Sequence, residues 1–323
     1  MTPPQTERSG SVIEVADLQK TYGETTAVDG VSFEVFEEEI FALVGPNGAG
    51  KTTTVEMLEC LRTPSGGSAA VLGRDVGTDA RAIKADIGVV PQSFHTFERL
   101  TVRENVELIG QLYDDSLAVE TVLDELDLAE WADRRFETLS GGLQRRTGIA
   151  MALVGDPAVL FLDEPTTGLD PDARRATWDR IEALADRGTT VVLTTHYMEE
   201  VEQLADRAAL LLEGTIEAVD TVSNLIERYG GAIKVVVRAD GRRDEPTADD
   251  AIGEILAADA IDTYGTDEGD LVGLFEDRER AQETFSRLHR EGGDRAIDLV
   301  SAGMEDVFLR LAGSTPEPGG DLS

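Results

Sequence analysis

Apolar residues in the first 45 positions fall in short runs at strand spacing. Val12, Ile13 and Val15 open one run in SVIEVADLQKTY. GVSFEVFEEEIFALVG carries two more, Val31–Phe36 and Glu39–Val44, around an acidic turn. The period then changes. Val55, Leu58 and Leu61 recur at helical spacing in KTTTVEMLECLRT. In TVRENVELIGQLY, Thr101 is followed three residues later by Glu104, the pattern of a capping box, and Val102, Val106, Ile109 and Leu112 mark one helical face. LAVETVLDELDL continues as helix, so residues from about 95 to 137 read as an all-helical insert.

AVLFLDEP and TTVVLTTH are near-continuous runs of apolar and β-branched residues, which predict strands buried on both faces. Between them Asp170 caps a helix with Pro171 at its first position, and Gly188 closes it. AALLLEGTIEAV predicts two strands joined near Glu213-Gly214. Strands alternating with helices argue for a parallel or mostly parallel sheet. After about residue 230 the pattern changes. AIKVVVRAD reads as a strand and GRRDEPTADD as a polar loop; DLVGLFE, DRERAQETFSRLHREGG and AIDLV then read strand, helix, strand, and MEDVFLRLAG is a closing helix. MTPPQTERSG has neither a basic start nor an apolar core and predicts a disordered lead rather than a signal peptide; STPEPGGDLS predicts a disordered tail.

Composition narrows the setting. No run of 18 or more apolar residues occurs in the 323, so no membrane-spanning helix is expected. The single cysteine, Cys60, excludes an intrachain disulfide and reads as a small apolar residue within a helix. The formal net charge is −35, and the acids are spread along the whole chain. Such a surface repels nucleic acid and anionic lipid. Of 29 basic residues only Lys20, Lys51, Lys84 and Lys234 are lysines. At about 1 M salt the screening length falls to about 3 Å, so a hydrated carboxylate surface of this kind fits a cytoplasm of molar salt.

The candidate chemistry centres on Lys51. GPNGAGKTT supplies Gly45, Pro46, Asn47, Gly48, Ala49, Gly50, Lys51, Thr52 and Thr53, and matches G-x-x-x-x-G-K-[ST] between a predicted strand and a predicted helix. Glycines let backbone N–H groups wrap a phosphate, and the helix adds the positive end of its dipole. Lysine then reaches the β- and γ-phosphates of a nucleotide, and the Thr52 hydroxyl ligates Mg²⁺. Asp163 ends the strand VLFLD, where a carboxylate can hold the Mg²⁺ shell, and Glu164 follows, placed to orient a water for in-line attack. His95 and His289 have no such context and read as surface residues.

Over about residues 12–225 the sequence resembles the ATP-binding subunits of ABC transporters. The resemblance rests on Tyr22, the phosphate loop, Gln92 in VVPQ, LSGGLQRR from Leu139 to Arg146, FLDEP, and TTH ending at His196, in that order. It implies an α/β fold of the P-loop NTPase (ABC ATPase) type with a helical subdomain. The domains expected are an ATPase domain at 11–228 and a small C-terminal α/β domain at 229–313. It also implies that Tyr22 stacks on adenine and that Gln92 joins Mg²⁺ and the attacking water. Ser140, Gly141 and Gly142 would meet the γ-phosphate held by a second copy, and Asp170 would link the two sites. His196 would contact the γ-phosphate and hold Glu164, the catalytic base. The implied partners are a second copy joined through an ATP sandwich and a separate integral-membrane permease, with no nucleic acid; the implied place is the cytoplasmic face of the membrane. Leu143 stands where the family usually has glutamine. The serine and glycines make the anion site, so binding is expected to survive. GMEDVFLRLAG, with SFHTFERLTVRENVELIGQLY, resembles the drug- and lipid-export subgroup of daunorubicin-resistance type. An importer subunit is the nearest alternative. A soluble family member acting on ribosomes or DNA is disfavoured by the single nucleotide unit and the charge, and a GTPase by the lack of N-K-x-D.

The charge reading predicts that the melting temperature rises between dilute and molar KCl. A value that stays level or falls across that titration contradicts it.

Overall fold

The computed structural model describes residues 10–93, 96–239, 251–266, 269–291 and 295–312. The lead before Gly10, His95, the GRRDEPTADD loop and the C-terminal tail lie outside them. The chain divides into two compact units, Met1–Val219 and Asp220–Ser323.

In the first unit, β1 (Ser11–Tyr22) and β2 (Thr25–Phe36) form a hairpin, and β3 (Ile40–Val44) runs into α1 (Lys51–Leu58). β4 (Gly66–Val71), β5 (Arg74–Asp75), α2 (Ala80–Asp86) and β6 (Ile87–Val90) follow. The chain then turns helical through α3 (Val102–Gly110), α4 (Val119–Glu125) and α5 (Gly141–Leu153). β7 (Val159–Asp163), α6 (Pro171–Ala185), β8 (Thr190–Thr195), α7 (Met198–Leu204), β9 (Arg207–Leu212) and β10 (Thr215–Thr221) complete the series.

The central sheet has the order β10-β9-β3-β8-β7-β6. Within it β9, β3, β8, β7 and β6 pair parallel with one another. Every residue of β3, β7 and β8 is buried, as strands covered on both faces require. Glu213 and Gly214 both take positive φ, 47° and 84°, which gives the tight turn between β9 and β10.

A second sheet, β2-β1-β4-β5, is antiparallel. The sequence pattern predicted one mostly parallel sheet and did not register β4 or β5. GGSAAV is small and glycine-rich, with a single β-branched residue, and is held as a strand by pairing with β1. Between the sheets Phe33 stacks on Phe41 with ring centroids 5.3 Å apart. Cys60 corrects a second expectation. It does not sit within a helix: α1 stops at Leu58, and Cys60 takes φ 57° in the turn beyond.

The helix starts follow their caps. The Thr101 hydroxyl accepts from the Glu104 N–H at 3.2 Å, and the Glu104 carboxylate accepts from the Thr101 N–H at 2.8 Å. Ser140 caps α5, and Asp170, followed by Pro171, caps α6.

The second unit holds α8 (Val222–Leu225), β11 (Ile233–Val237), α9 (Ala251–Ala257), β12 (Asp262–Gly265), β13 (Leu271–Phe275), α10 (Arg278–Glu291), β14 (Ile297–Ser301) and α11 (Met304–Ala312). Its sheet, β12-β13-β11-β14, is antiparallel. Ile233, Val235, Val237, Leu256, Phe275 and Leu288 form a core between the sheet and α9 and α10. Asp306 of α11 is fully buried and accepts hydrogen bonds from Lys234, the Tyr264 hydroxyl and the Gly303 N–H. α9 and β12 had no clear sequence signal. His289 lies exposed on α10.

Glu59, just past α1, is buried beside a cavity of about 360 Å³ lined by Leu61, Ile87, Pro91, Tyr113 and Met151 among others. Burial, with Asp163 and Glu56 nearby, pushes its carboxyl up to about 7 from 4.5. The folded chain therefore keeps this proton through a window in which the unfolded chain has released it. Glu59 thus costs stability as pH rises from about 4.5 to 7, by an amount on the order of 3 kcal/mol when complete. Glu59→Gln is expected to raise the unfolding free energy at pH 8 and leave it little changed at pH 4.5. Denaturant melts at the two pH values test this, and equal effects at both would contradict it.

Candidate active site

Parallel pairing puts the C-terminal ends of β3, β8, β7 and β6 side by side. The loop Gly45–Gly50 leaves β3. Gly48 and Gly50 have φ of 82° and 104°, and a Cβ on Gly50 would stand 2.4 Å from the Ala27 carbonyl oxygen. A Cβ on Gly45 would stand 2.1 Å from the Leu211 carbonyl oxygen. Only glycine fits either place. Gly50 caps α1 without a side chain, so the first-turn N–H groups have no side-chain acceptor, at the positive end of the helix. Lys51 is buried, and its ammonium donates to the carbonyls of Gly45 at 2.7 Å and Pro46 at 3.0 Å. Burial lowers its pKa, opposed by the charges of Glu164 and Asp163.

A cleft of about 370 Å³ lies over this loop, lined by Asn47, Gly48, Gly50, Lys51, Thr52 and Thr53 together with Ala27, Gln92 and Glu164. Asp163 ends β7 with its carboxylate 3.4 and 3.5 Å from the Thr52 hydroxyl. It also accepts from the Thr194 hydroxyl.

Glu164 is the most constrained acid in the cleft. It is buried at φ 46°, a left-handed conformation uncommon for a residue with a side chain. Its N–H donates to the Thr194 carbonyl at 3.1 Å. One carboxylate oxygen accepts from Gln92 Nε2 at 2.8 Å and the Thr167 hydroxyl at 3.0 Å; the other lies 3.1 Å from His196 Nδ1. An ionised carboxylate only accepts, so His196 donates through Nδ1. Acceptor capacity remains toward the cleft, enough to hold a water and take its proton.

The Thr52 hydroxyl and the Asp163 carboxylate, which meet here, and the side-chain oxygen of Gln92, whose amide nitrogen is engaged by Glu164, are hard oxygen donors, the chemistry that fits Mg²⁺. Other expected residues lie apart. Tyr22 ends β1, 41% exposed, with Lys20 and Arg62 over its ring at 5.2 and 5.6 Å, and does not line the cleft. Ser140, Gly141 and Gly142 at the start of α5, and Asp170 at the start of α6, do not line it either. Leu143 is buried. The sequence reading did not single out Thr167, Thr194 or Arg145. Arg145 is buried behind the cleft and donates to the carbonyls of Pro91, Gln92, Asp163 and Pro165. The faint signal for Thr167 is its place three residues after Glu164 in a turn.

A glycine-built anion loop, a lysine, a hydroxyl and two adjacent acids at the C-terminal edge of a parallel sheet define a phosphate-loop nucleoside triphosphatase. Residues 28–167 match the ABC transporter family. The chain is 39% identical over 315 residues to the Nod factor export ATP-binding protein I of Paraburkholderia xenovorans, covering 94% of this chain and 97% of that one. It is 38% identical over 316 residues to a daunorubicin resistance ATP-binding protein of Streptomyces coeruleorubidus, covering 95% and 97%. Among solved structures it is similar to an ATP-binding subunit of an ABC transporter, with TM-score 0.61 and 27% identity over 68% of this chain and 94% of that one. It is also similar to a dimeric bacterial ABC transporter cassette, with TM-score 0.58 and 30% identity over 65% and 98%. The chain belongs to the ABC transporter family, as an ATP-binding subunit with ATPase chemistry.

Gly50→Ala places a Cβ against the Ala27 carbonyl at a φ that costs an alanine about 1–3 kcal/mol. Deforming the loop by that much is expected to weaken ATP binding about tenfold or more. Equilibrium dialysis with labelled ATP checks this, and parental affinity would contradict the fit.

Proposed function

We propose that this chain is the ATP-hydrolysing subunit of a transporter that exports a drug-like or lipid-like molecule through a separate membrane permease. It works as a pair of copies with two Mg²⁺–ATP held between them, at the cytoplasmic face of the membrane. The observation that carries the reading is the setting of Glu164: strained, buried, held by three side-chain donors, and facing the phosphate loop. Export is supported by the two relatives named for export and resistance, whose similarity covers almost the whole chain, while the solved cassettes cover about two thirds of it. The importer alternative has no comparable support.

The residues divide the work as follows. The loop N–H groups and Lys51 bind the phosphates. Thr52, Asp163 and Gln92 would hold Mg²⁺, which when bound offsets phosphate charge. Glu164 orients a water in line with the γ-phosphorus and takes its proton, and His196 and Thr167 keep the carboxylate in place. Ser140, Gly141 and Gly142 reach the γ-phosphate on the opposite copy, where N–H groups at the start of α5 complete the site. Asp170 lies at the seam between copies, and Tyr22 meets the adenine at the edge of the cleft. The apolar cavity beside Gln92, lined by Pro91, Ile109, Tyr113 and Met151, seats the permease, so that closure of the pair moves the membrane partner.

Glu164→Gln is expected to lower turnover by about 10²–10⁴-fold while retaining ATP and trapping a dimer. Light scattering with and without Mg²⁺–ATP reads the dimer, and phosphate release reads the chemistry. Lys51→Met is expected to lose both ATP retention and dimer. Parental turnover in Glu164→Gln would remove the assignment of the base.

A further inference from the structure

Arg145 makes a set of bonds that substrate binding does not require. It sits one turn into α5, five residues past the cap Ser140, and only 7% of its surface is exposed. Its Nη1 donates to the carbonyls of Pro91 at 2.7 Å and Gln92 at 3.3 Å. Its Nε donates to the Pro165 carbonyl at 3.0 Å, and Nη2 donates to the Asp163 carbonyl at 2.5 Å. The two carbonyls on the β7 side belong to the residues immediately before and after Glu164. The two on the β6 side belong to Gln92 and its predecessor. One planar cation therefore grips the backbone on both sides of a side-chain pair, Gln92 and Glu164, that is itself bonded at 2.8 Å.

We infer that Arg145 is a positioning residue for ATP hydrolysis. It ties the anion-binding end of α5 to the two loops that carry Gln92 and the base, and so sets the direction in which Glu164 points. The inference rests on the reading of Glu164 as the base. Three physical facts carry it. Glu164 is held at φ 46°, and a strained backbone persists only where its surroundings over-determine it. Bonds to the carbonyls on either side supply that determination. The guanidinium is a rigid fork whose donors diverge in one plane, so it fixes the spacing of four acceptors at once, which a lysine ammonium on a flexible stem cannot do. A buried cation is costly unless compensated. Here four carbonyl oxygens compensate it. Its bonds go to backbone carbonyls and to no side chain that lines the cleft. Its effect on chemistry passes through the backbone it holds.

Helix α5 starts at Ser140–Gly142, the segment proposed to meet the nucleotide of the opposite copy. The Arg145 bridge gives that event a short covalent-and-hydrogen-bond path to Glu164. A shift of α5 on closure is transmitted to the backbone around the base within the span of one side chain.

The test is a double-mutant cycle in the purified full chain, with Mg²⁺–ATP as the probe. Arg145→Met is expected to lower kcat about 10²-fold, the scale of a misplaced reacting group, with KM and the equilibrium ATP affinity within about threefold of parental. Arg145→Lys, which keeps the charge but loses the fork, is expected to recover part of that loss. In a Glu164→Gln background the same Arg145→Met change is expected to lower the residual rate by less than about threefold, because the group it positions is already gone. Effects that multiply in the cycle, ATP affinity that falls in step with kcat, or parental kcat in Arg145→Met would each overturn the inference. Should Arg145→Met not fold, Arg145→Lys and Arg145→Gln carry the same cycle with the same criteria. The parental rate in Glu164→Gln alone would instead mark failure of the base assignment.

Discussion

Parallel pairing of β3, β8, β7 and β6 is the constraint on which the rest of the first unit depends. Strands stand about 4.8 Å apart, so four neighbouring strand ends span only about 15 Å. Because the strands are parallel, all four ends face the same edge. The loop before Lys51, His196, Asp163 with Glu164, and Gln92 are far apart in sequence yet each leaves one of these ends. Antiparallel pairing at any one of the three interfaces would send a partner to the opposite edge, about 13–20 Å away for strands of four to six residues. The register is equally strict. Asp163 pairs with Thr194 and Val44 with Thr195, which places the Thr194 hydroxyl and carbonyl against the Asp163–Glu164 junction.

That geometry forces charge into poor solvent. Lys51, Asp163, Glu164 and Arg145 are all below a tenth exposed. Each would be costly alone, and the cost is offset only because opposite charges and backbone dipoles sit within reach. Lys51 is balanced by two loop carbonyls and two acids, Asp163 by hydroxyls from Thr52 and Thr194, and Arg145 by four carbonyls. The set is mutually dependent. Removal of one member leaves another buried without compensation, so changes here act on fold and chemistry together unless the substitution keeps the bonding pattern.

The parts of this site legible in the sequence are those where chemistry dictates side-chain type at fixed spacing. Gly45, Gly50, Lys51 and Thr52 could be read because phosphate needs backbone N–H groups, a point charge and a hydroxyl in that order, between a strand and a helix. Asp163 and Glu164 could be read because they end an apolar run too hydrophobic to lie at the surface. Arg145 and Thr167 could not. Arg145 bonds to carbonyls, which every residue has, so no partner in the sequence marks where its guanidinium goes. The same holds for the fold. Long apolar runs announced β3, β7 and β8, and capping boxes announced α3. β4 was hidden because GGSAAV is extended by its pairing with β1 rather than by its own preference, and Cys60 was misplaced because α1 stops a turn short of where the apolar spacing alone would end it.

The surface charge and the cleft make opposite demands. A nucleotide triphosphate is a polyanion, and the chain that receives it carries a net charge of −35. At about 0.15 M salt the screening length is about 8 Å, so repulsion between an acidic surface and a polyanion extends beyond the mouth of the cleft. The attraction is confined to Lys51, the N–H groups of the loop and the end of α1, all short-ranged and partly spent on internal carbonyls and acids. At about 1 M salt the screening length shrinks to about 3 Å and the distant repulsion vanishes, while hydrogen bonds and contacts inside the cleft, which salt scarcely reaches, persist. Raising the salt therefore weakens the distant repulsion far more than it weakens the contacts inside the cleft.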